Sequence, residues 1–216
     1  MDTTLADPLL GALVDGRYRV RARVARGGMA TVYTAVDERL ERTVALKIIH
    51  PAQSGEPSFL ERFTDEAKAI ARLTHPNVVA VYDQGTYQGM PYLVMEYVRG
   101  TTLREVLADR HRLPPPEALA ILEQMLAAIA AAHRAGLVHR DVKPENVLVA
   151  EAPNHSLLDS VVKVADFGLA RAVEEASSDN APTGGQLLAT VAYVAPELVT
   201  DGHADPRAHP RTAPGR

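Results

Sequence analysis

The sequence contains no cysteine among its 216 residues. Disulfides and thiolate metal sites are therefore excluded, and the redox compartment stays open. An excess of positive charge is also missing, since 23 Lys and Arg face 27 Asp and Glu for a net charge of -4. A nucleic-acid partner would call for a basic face, so we expect no nucleic acid to bind.

Long apolar runs are absent as well. The most apolar stretch, residues 119–132, includes Glu123 and Gln124 and is too short to span a bilayer. The amino terminus has neither the basic start nor the apolar core of a signal peptide. With 46% hydrophobic and 23% charged residues, the composition is that of a soluble globular protein. We therefore expect a cytoplasmic protein with no membrane segment in this chain.

The first half of the chain shows the alternation that is typical of β-strands. Residues 17–24 alternate Arg with Tyr, Val or Ala, and this pattern predicts a half-buried strand. A small-residue turn, residues 25–30, leads to a second strand over residues 31–36. By itself the turn is either an ordinary hairpin connection or a glycine-rich loop whose N–H groups approach phosphate oxygens.

A lysine inside an apolar strand makes the second interpretation more attractive. Lys47 lies in a third predicted strand, residues 43–49, where burial costs desolvation unless an anion meets the ammonium group. It either reaches solvent at a sheet edge or pairs with a phosphate and a carboxylate. Glu66 is the carboxylate candidate, because it lies beside the apolar stripe of a predicted helix (Phe59, Phe63, Ala67, Ile70). Alternatively, Glu66 forms an ordinary boundary salt bridge.

Two more apolar strands, residues 78–82 and 91–97, complete a first half with five strands and one helix. From Thr101 onward the pattern becomes helical, with a short helix over residues 103–107. A longer helix follows Pro116, and its predicted core stripe is Ile121, Leu122, Met125, Ile129 and Ala132.

A polar loop, residues 139–146, separates this helix from a small hairpin made of residues 147–149 and 161–164. Its sequence His-Arg-Asp-Val-Lys-Pro-Glu-Asn cannot form a regular helix face, so it predicts a loop that holds Asp141, Lys143 and Asn146 toward one point. Such a set suits a carboxylate that accepts a hydroxyl proton, a cation beside a phosphate and an amide that binds a metal.

With these motifs in order, the chain resembles a eukaryotic-type Ser/Thr protein kinase of bacteria, particularly of actinobacteria. The resemblance covers about residues 17–205. It is carried by the residue 27–32 turn, Val44-Ala45-Leu46-Lys47, Glu66, His75-Pro76-Asn77, the 139–146 loop, Asp166-Phe167-Gly168 and Ala195-Pro196-Glu197.

The resemblance implies an α+β, two-lobed protein-kinase fold. The small β-rich N-lobe would take residues 17–97, after a leader of residues 1–16. An incomplete helical C-lobe would take residues 98–205, and a Pro/Arg-rich tail of residues 206–216 would follow.

The resemblance also implies ATP and Mg²⁺ as cofactors and Ser/Thr residues of proteins as substrates. Asp141 would accept the substrate's hydroxyl proton, Lys143 would stabilise the γ-phosphate, and Asn146 and Asp166 would bind Mg²⁺. Lys47, held by Glu66, would contact the inner phosphates. The nucleotide, between the lobes, would meet the residues Val24, Gly27, Gly28, Val32, Ala45, Lys47, Met95 (the gatekeeper), Glu96, Val98 and Leu148.

Regulation by phosphorylation is a further implication. Arg140, directly before Asp141, would need an anion to order the following loop. The candidate acceptors are Thr183, Ser177 and Ser178, and Thr190 lies where the family has a threonine beside the catalytic Asp. A homodimer would allow autophosphorylation.

Some positions depart from the family pattern. Ala25 and Ala189 replace glycines, and the three prolines from 206 to 214 forbid the helix that should follow. We therefore expect the large lobe to be incomplete, as a truncation or a frameshift would leave it. The rival interpretation is a catalytically inactive fragment that acts at most as a nucleotide- or partner-binding module. A small-molecule phosphotransferase is disfavoured, because Lys143 and residues 195–197 suit protein substrates.

Overall fold

Two compact units make up the part of the chain that the structure, a computed structural model, describes. The described residues are 7–50, 57–154 and 156–167. Of these residues, unit 1 contains 7–50, 57–74 and 79–99, and unit 2 contains 75–78, 100–154 and 156–167.

Unit 1 is a six-stranded antiparallel sheet with one helix. The strands are β1 (Leu13–Val14), β2 (Tyr18–Arg26), β3 (Ala30–Asp37), β4 (Arg42–Ile49), β5 (Val81–Tyr87) and β6 (Met90–Glu96). They lie in the order β1-β2-β3-β4-β6-β5. The helix α1 (Pro57–Ala71) packs against β5 and β6. The strand that carries Lys47 is thus central, with neighbours on both sides.

The core of unit 1 follows from the alternation that the sequence showed. Successive side chains of a strand point to opposite faces, so burial alternates along β3 and over the first three residues of β2, whereas the rest of β2 is exposed. The resulting apolar cluster consists of Val14, Tyr18, Val20, Tyr33, Ala35, Val44, Leu46, Ile48, Tyr92 and Val94. Each large side chain buried in this way contributes roughly 1.5–3 kcal/mol to the free energy of unfolding.

The prediction of five strands and one helix between residues 17 and 97 is confirmed, but the bounds of one strand were wrong. The strand predicted over residues 78–82 runs instead from Val81 to Tyr87, and the turn falls at Gln88 and Gly89. Both turn residues have positive φ, which closes a two-residue hairpin. In addition, the leader contains a strand, because Val14 is fully buried and pairs with Tyr18.

Unit 2 combines a three-stranded sheet with helices. Its elements are β7 (Gly100–Thr102), α2 (Leu103–Arg110), α3 (Pro115–Arg134), a 3₁₀ helix (Pro144–Asn146), β8 (Val147–Ala150) and β9 (Val162–Val164). The predicted hairpin is confirmed as β8 and β9, and β7 joins it on the other edge.

The short helix predicted over residues 103–107 is confirmed as α2, which starts at Leu103, whereas Thr101 and Thr102, where the helical pattern was predicted to begin, lie in β7. A capping box starts α2 one residue later: Thr102 Oγ1 accepts from the Glu105 N–H at 3.2 Å, and the Glu105 carboxylate accepts from the Thr102 N–H at 2.7 Å. Before it, Gly100 crosses so close to β8 that a Cβ would lie 2.0 Å from the Val149 carbonyl oxygen. Only glycine fits there.

The predicted stripe of α3 was right for its buried side and wrong for Leu122. Ile121 and Ala132 are buried, as are Ala128 and Ala131. Leu122 is 46% exposed, because one residue advances 100° around a helix and this rotation carries it away from the face of Ile121. Ile121 packs with Leu103, Val147, Val149 and Val162 in the core of unit 2. Within the described residues, no helix has the length and apolar character needed to cross a membrane.

Candidate active site

The loop between α3 and β8 brings three of the predicted catalytic side chains together. Lys143 Nζ lies 2.7 Å from Asp141 Oδ2. Asn146 Nδ2 donates to the same oxygen at 3.0 Å and to the Asp141 carbonyl oxygen at 2.8 Å. The 3₁₀ helix, which Pro144 starts, turns the chain so that Asn146 comes back over Asp141.

The two carboxylate oxygens of Asp141 have different surroundings. Oδ2 is shared by Lys143 and Asn146. Oδ1 is buried and has no hydrogen-bond partner among the described residues. A buried carboxylate oxygen without a partner is costly, so such an atom in a polar loop indicates a place for a donor that arrives with a ligand. A substrate hydroxyl is such a donor.

Asn146 has the orientation that a metal ligand requires. Both of its contacts are with oxygen atoms that only accept, so the side-chain NH₂ group must face Asp141 and the amide oxygen must face away. That oxygen accepts no hydrogen bond from a described residue. Amide and carboxylate oxygens are ligands that Mg²⁺ prefers, so Asn146 and the carboxylate of Asp166 are suitable donors. No group of three or more candidate metal ligands occurs among the described residues.

His139 ties the segment that carries Asp166 to the catalytic loop. Its Nε2 donates to the Ala165 carbonyl oxygen at 2.8 Å, so its Nδ1 accepts from the Asp141 N–H at 3.3 Å. The Ala165 N–H in turn donates to the Asn146 carbonyl oxygen at 2.8 Å. The Phe167 ring lies 4.5 Å from the His139 ring, centroid to centroid. Asp166 is therefore flanked by hydrogen bonds at Ala165 on one side and by the ring contact of Phe167 on the other.

Burial favours the neutral form of the His139 side chain. Its side chain is almost fully buried, and desolvation lowers the pKa of the imidazole below its ordinary value, against the raising effect of the bond to Ala165. A neutral ring is the form that can donate at Nε2 and accept at Nδ1 together. His139 thus joins the backbone at Asp141 to the backbone at Ala165 through its two ring nitrogens.

Four of the nucleotide-binding residues predicted in unit 1 share one face of the sheet. Ala45 pairs with Met95 across β4 and β6, and Lys47 pairs with Val32 across β4 and β3. Directly opposed residues of an antiparallel pair lie on the same face, and residues two apart along a strand do so as well. Val32, Ala45, Lys47 and Met95 therefore line one surface of unit 1.

Other predicted nucleotide contacts lie at the margins of that surface or outside it. Val24 is 56% exposed near the end of β2, and Gly27 and Gly28 form the turn to β3. Glu96 pairs with Val44 on the opposite face and donates its N–H to the Ala80 carbonyl oxygen at 2.9 Å. Val98 follows β6 in unit 1. Leu148 lies in β8 of unit 2, paired with Thr102 and Lys163.

The predicted pairing of Lys47 with Glu66 stays a prediction. Both residues lie in unit 1, Lys47 on the central strand and Glu66 on α1, and both take part in a polar interaction. Glu66 Oε2 is a buried oxygen. A buried carboxylate on the helix that packs against the sheet is in keeping with a cation as its partner.

Two contacts that support the loop escaped the sequence reasoning. Asn77 Nδ2 donates to Gln124 Oε1 and to the Val162 carbonyl oxygen, both at 2.8 Å, and so joins β9 to α3. Arg104 Nε donates to Glu145 Oε1 at 2.8 Å and so joins α2 to the 3₁₀ helix. The His75-Pro76-Asn77 motif could have pointed to Asn77 as the source of the first contact, whereas no local pattern points to the second.

The predicted regulatory residues lie mostly outside the described residues: Ser177, Ser178, Thr183 and Thr190, together with Gly168 and residues 195–197. Arg140 is described. It has a positive φ of 66°, and it forms no ion pair with the part of the chain that the structure describes. The described residues therefore do not test the prediction that Arg140 needs an anion.

Comparison with known proteins identifies the family. Residues 18–209 match the protein kinase domain model. The chain is 52% identical over 201 residues to serine/threonine-protein kinase PknL of Mycobacterium tuberculosis, covering 93% of this chain and 48% of that protein. It is 41% identical over 196 residues to serine/threonine-protein kinase PrkC of Bacillus subtilis, covering 91% of this chain and 29% of that protein.

A solved structure agrees with these relatives. The Mycobacterium tuberculosis PknI kinase domain superimposes with a TM-score of 0.70 at 31% identity, over 92% of this chain and 71% of that one. The chain spans about half the length of PknL and 29% of the length of PrkC. The resemblance stated from the motifs is thereby confirmed, and the chain belongs to the protein kinase family.

Proposed function

We propose that this protein is a Ser/Thr protein kinase that transfers the γ-phosphoryl group of ATP to Ser or Thr hydroxyls of proteins. The observation that carries the proposal is the asymmetry of Asp141, whose Oδ2 is held by Lys143 and Asn146 while Oδ1 is buried without a partner. A cytoplasmic location goes with the proposal, because ATP is available there.

The residues of the loop divide the work in this proposal. Asp141 Oδ1 accepts the proton of the substrate hydroxyl as the hydroxyl oxygen bonds to the γ-phosphorus and the bond from that phosphorus to the leaving ADP breaks. Lys143, beside Oδ2, brings a positive charge next to the transferred group. Lys at this place also favours Ser and Thr over Tyr, in line with the names of the relatives.

Asn146 and Asp166 are the proposed Mg²⁺ ligands. The bound cation would neutralise the charge that develops on the phosphate oxygens. Asn146 offers its amide oxygen because its NH₂ group is occupied by Asp141. His139 positions Asp166 through the Ala165 carbonyl oxygen.

Unit 1 supplies the proposed nucleotide contacts. The surface with Val32, Ala45 and Met95 is apolar and suits an adenine ring, and Lys47 on the same face would meet the phosphates. The backbone N–H groups of the turn at Gly27 and Gly28 would approach the phosphate oxygens.

The test is phosphate transfer from radiolabelled ATP, measured with the wild-type chain and with Asp141→Asn. General-base catalysis typically contributes 10²–10⁴-fold, so we expect a loss of roughly that size in kcat for Asp141→Asn. Binding of Mg-ATP should change little, since the carboxylate is assigned to the hydroxyl proton. Asp109→Asn on the exposed end of α2 is the matched control and should keep full activity.

The results separate the two interpretations that the sequence left open. Transfer by the wild type that disappears in Asp141→Asn supports the kinase. Binding of Mg-ATP without any transfer by the wild type would instead support the inactive nucleotide-binding module.

A further inference from the structure

The residue directly after β4 makes three contacts with the glycine turn, and none of the roles assigned above uses it. His50 Nδ1 lies 2.9 Å from the Gly28 carbonyl oxygen, and His50 Nε2 lies 2.8 Å from Thr31 Oγ1. The backbone N–H of His50 donates to the Met29 carbonyl oxygen at 2.8 Å. One residue thus bonds to Gly28 and Met29 within the turn and to Thr31, just after it.

The chemistry of these partners fixes the roles of the two ring nitrogens. A carbonyl oxygen only accepts, so His50 Nδ1 carries a hydrogen and donates to Gly28. In the neutral ring Nε2 then accepts from the hydroxyl of Thr31, which is 5% exposed and thus held in place. The buried hydroxyl orients the ring, and the ring holds the Gly28 carbonyl group.

The turn has few other restraints of its own. Across its mouth, the Gly27 N–H donates to the Ala30 carbonyl oxygen at 2.9 Å. Two consecutive glycines have unusually large backbone freedom, and binding of a phosphate would have to remove it. A turn that is already held in one conformation binds with a smaller entropic cost.

His50 also links the turn to the strand that carries Lys47. The β3–β4 ladder pairs Val32 with Lys47 and ends with Ala30 opposite Ile49, and the contact of His50 with Met29 extends it by one step. The turn and Lys47 are therefore held by the same short stretch of β4. A shift of one relative to the other would require this ladder to break.

We propose that His50 is a positioning residue that pre-forms the glycine turn for the phosphates of the nucleotide. The inference rests on the proposed function, because it assigns the turn to ATP phosphates. It goes further by predicting that the strength of phosphate binding, and not of nucleoside binding, depends on a side chain outside the turn.

The test compares the affinities of the 216-residue chain for Mg-ATP and for adenosine by isothermal titration calorimetry. We expect His50→Ala to raise the Kd for Mg-ATP roughly 3–10-fold, the range that one or two hydrogen bonds command, and to leave the Kd for adenosine within about twofold. If His50 only supported the fold, His50→Ala would lower the affinities for Mg-ATP and for adenosine by the same factor.

Conservative variants distinguish the two arms of the ring. In His50→Asn the side-chain amide lies near the position of His50 Nδ1 and can donate to the Gly28 carbonyl oxygen. In His50→Gln the amide lies nearer the position of Nε2, beside Thr31. We expect His50→Asn to recover most of the lost Mg-ATP affinity and His50→Gln to recover little. Because Thr31 acts through the ring, Thr31→Val should have a smaller effect that disappears when it is combined with His50→Ala.

Thr86→Val is the matched control, since Thr86 is an exposed threonine on the edge strand β5, which is separated from β3 by β4 and β6. It should change neither affinity. Hydrogen exchange of the backbone amides of residues 26–31, measured without nucleotide, should be faster in His50→Ala and unchanged in Thr86→Val.

Each outcome decides the proposal. Loss of affinity for Mg-ATP alone, with faster exchange in the turn, supports it. Equal losses for both ligands, or exchange in His50→Ala that matches the wild type, overturn it. If the wild type binds neither ligand, the proposed function fails and the phosphate role of His50 fails with it, whereas failure of the inference alone leaves wild-type binding of Mg-ATP intact.

Discussion

Single residues of the candidate site are held by partners that leave one functional atom open. Asp141 presents Oδ1 while Oδ2 is occupied, and Asn146 presents its amide oxygen while its NH₂ group is occupied. Rotation of either side chain would exchange the open atom for the occupied one. The hydrogen bond between them prevents that rotation and so fixes both functional atoms together.

At Gly27 the steric requirement of the fold can be separated from that of a ligand. A Cβ at this position would meet only the Ala30 carbonyl oxygen, at 3.6 Å, which is ordinary contact. We therefore expect Gly27→Ala to change the free energy of unfolding by less than ~0.5 kcal/mol. Close approach of phosphate should suffer, with a loss of Mg-ATP affinity of about tenfold. Thermal melts and titration calorimetry measure the two effects.

Gly85 is a glycine at which the fold itself leaves no room for a Cβ, in contrast to Gly27. Its Cβ would lie 2.6 Å from the Tyr92 hydroxyl oxygen, inside the core of unit 1. Gly85→Ala should therefore cost ~1–3 kcal/mol in unfolding free energy, with unchanged affinity in the folded fraction. If Gly27→Ala binds Mg-ATP as the wild type does, the turn is an ordinary hairpin connection.

His139 gives the site a pH dependence whose sign follows from its burial. Its pKa in the folded chain lies below the ordinary value of 6.5, so between these two values only the unfolded chain binds the proton. The free energy of unfolding therefore falls as the pH decreases from about 6.5, by at most about 1.4 kcal/mol per pH unit for this group. Above pH 6.5 the contribution of His139 is constant.

Urea unfolding at pH values from 7.5 to 5.0 measures this dependence. His139→Gln cannot take up a proton, so the variant should be less stable than the wild type but should lose less stability on acidification. Parallel pH profiles for the two chains would refute the assignment.

The sequence allowed the residues that are proposed to react to be grouped more easily than the residues that hold them. Asp141, Lys143 and Asn146 lie within six positions of one another, so a short pattern reveals them. His50 meets Gly28 and Thr31 only because β3 and β4 pair in one register. A histidine after a strand has no distinctive local signal, and its role appears only once the register is known.

At the scale of elements, ion pairs attach β2 to its neighbours with unequal strength. Arg17 binds Asp37 through two hydrogen bonds, of 2.8 and 2.7 Å, and Asp37 is fully buried. Arg17 holds the pKa of the Asp37 carboxyl below its usual range. Arg17 lies directly before β2, whereas Arg19 lies in β2 and binds Glu38 at 2.5 Å on the exposed surface. The first pair is bidentate and involves a buried carboxylate, whereas the second is a single hydrogen bond to an exposed one.

This difference predicts the result of matched substitutions. Arg17→Met removes both guanidinium hydrogen bonds from a buried carboxylate and leaves it only Arg42, at 4.0 Å, as a cation, so it should lower the free energy of unfolding by up to ~3–5 kcal/mol. Arg19→Met removes a solvent-screened pair and should cost ~0–1 kcal/mol. Urea unfolding at neutral pH compares the two variants, and equal losses would contradict the importance assigned to burial.

Elements were predictable where the apolar period is strong, and less so where tertiary contacts decide. The strands β2, β3 and β4 alternate clearly, and the long helix α3 has a complete stripe. The strands β1 and β7 have two and three residues, too few for any period, and they form because a neighbouring strand offers an edge. Leu122 was misplaced because apolar residues surround α3 on more than one face.

At the scale of the whole molecule, the proposed functional residues are divided between the two units. Unit 1 holds Lys47 and the apolar face around Ala45, whereas unit 2 holds Asp141, Asn146 and Asp166. Phosphate transfer by the proposed route needs both sets, so activity is a property of the complete chain. Stability in either unit alone would not be sufficient evidence of function.

Autophosphorylation between two copies is the prediction that belongs to this scale. Arg140 adjoins Asp141 and forms no ion pair with the described residues, so a phosphate at residues 177–183 could serve as its partner. We expect the wild type to phosphorylate a size-tagged Asp141→Asn chain there, chiefly at Thr183, as peptide mass spectrometry would show. Asp141→Asn alone should stay unmodified, and Thr183→Ala in the tagged chain should remove most of the label.

The kinetics decide whether two copies take part. Transfer between copies makes the initial rate of phosphorylation rise with the square of the wild-type concentration, whereas transfer within one copy makes it rise in direct proportion. A label that reaches the wild type but never the tagged Asp141→Asn chain would exclude a homodimer as the phosphorylating species. An active wild type with no phosphate at residues 177–183 would remove the regulatory role of Arg140, because the arginine would then act without the anion that the proposal assigns to it.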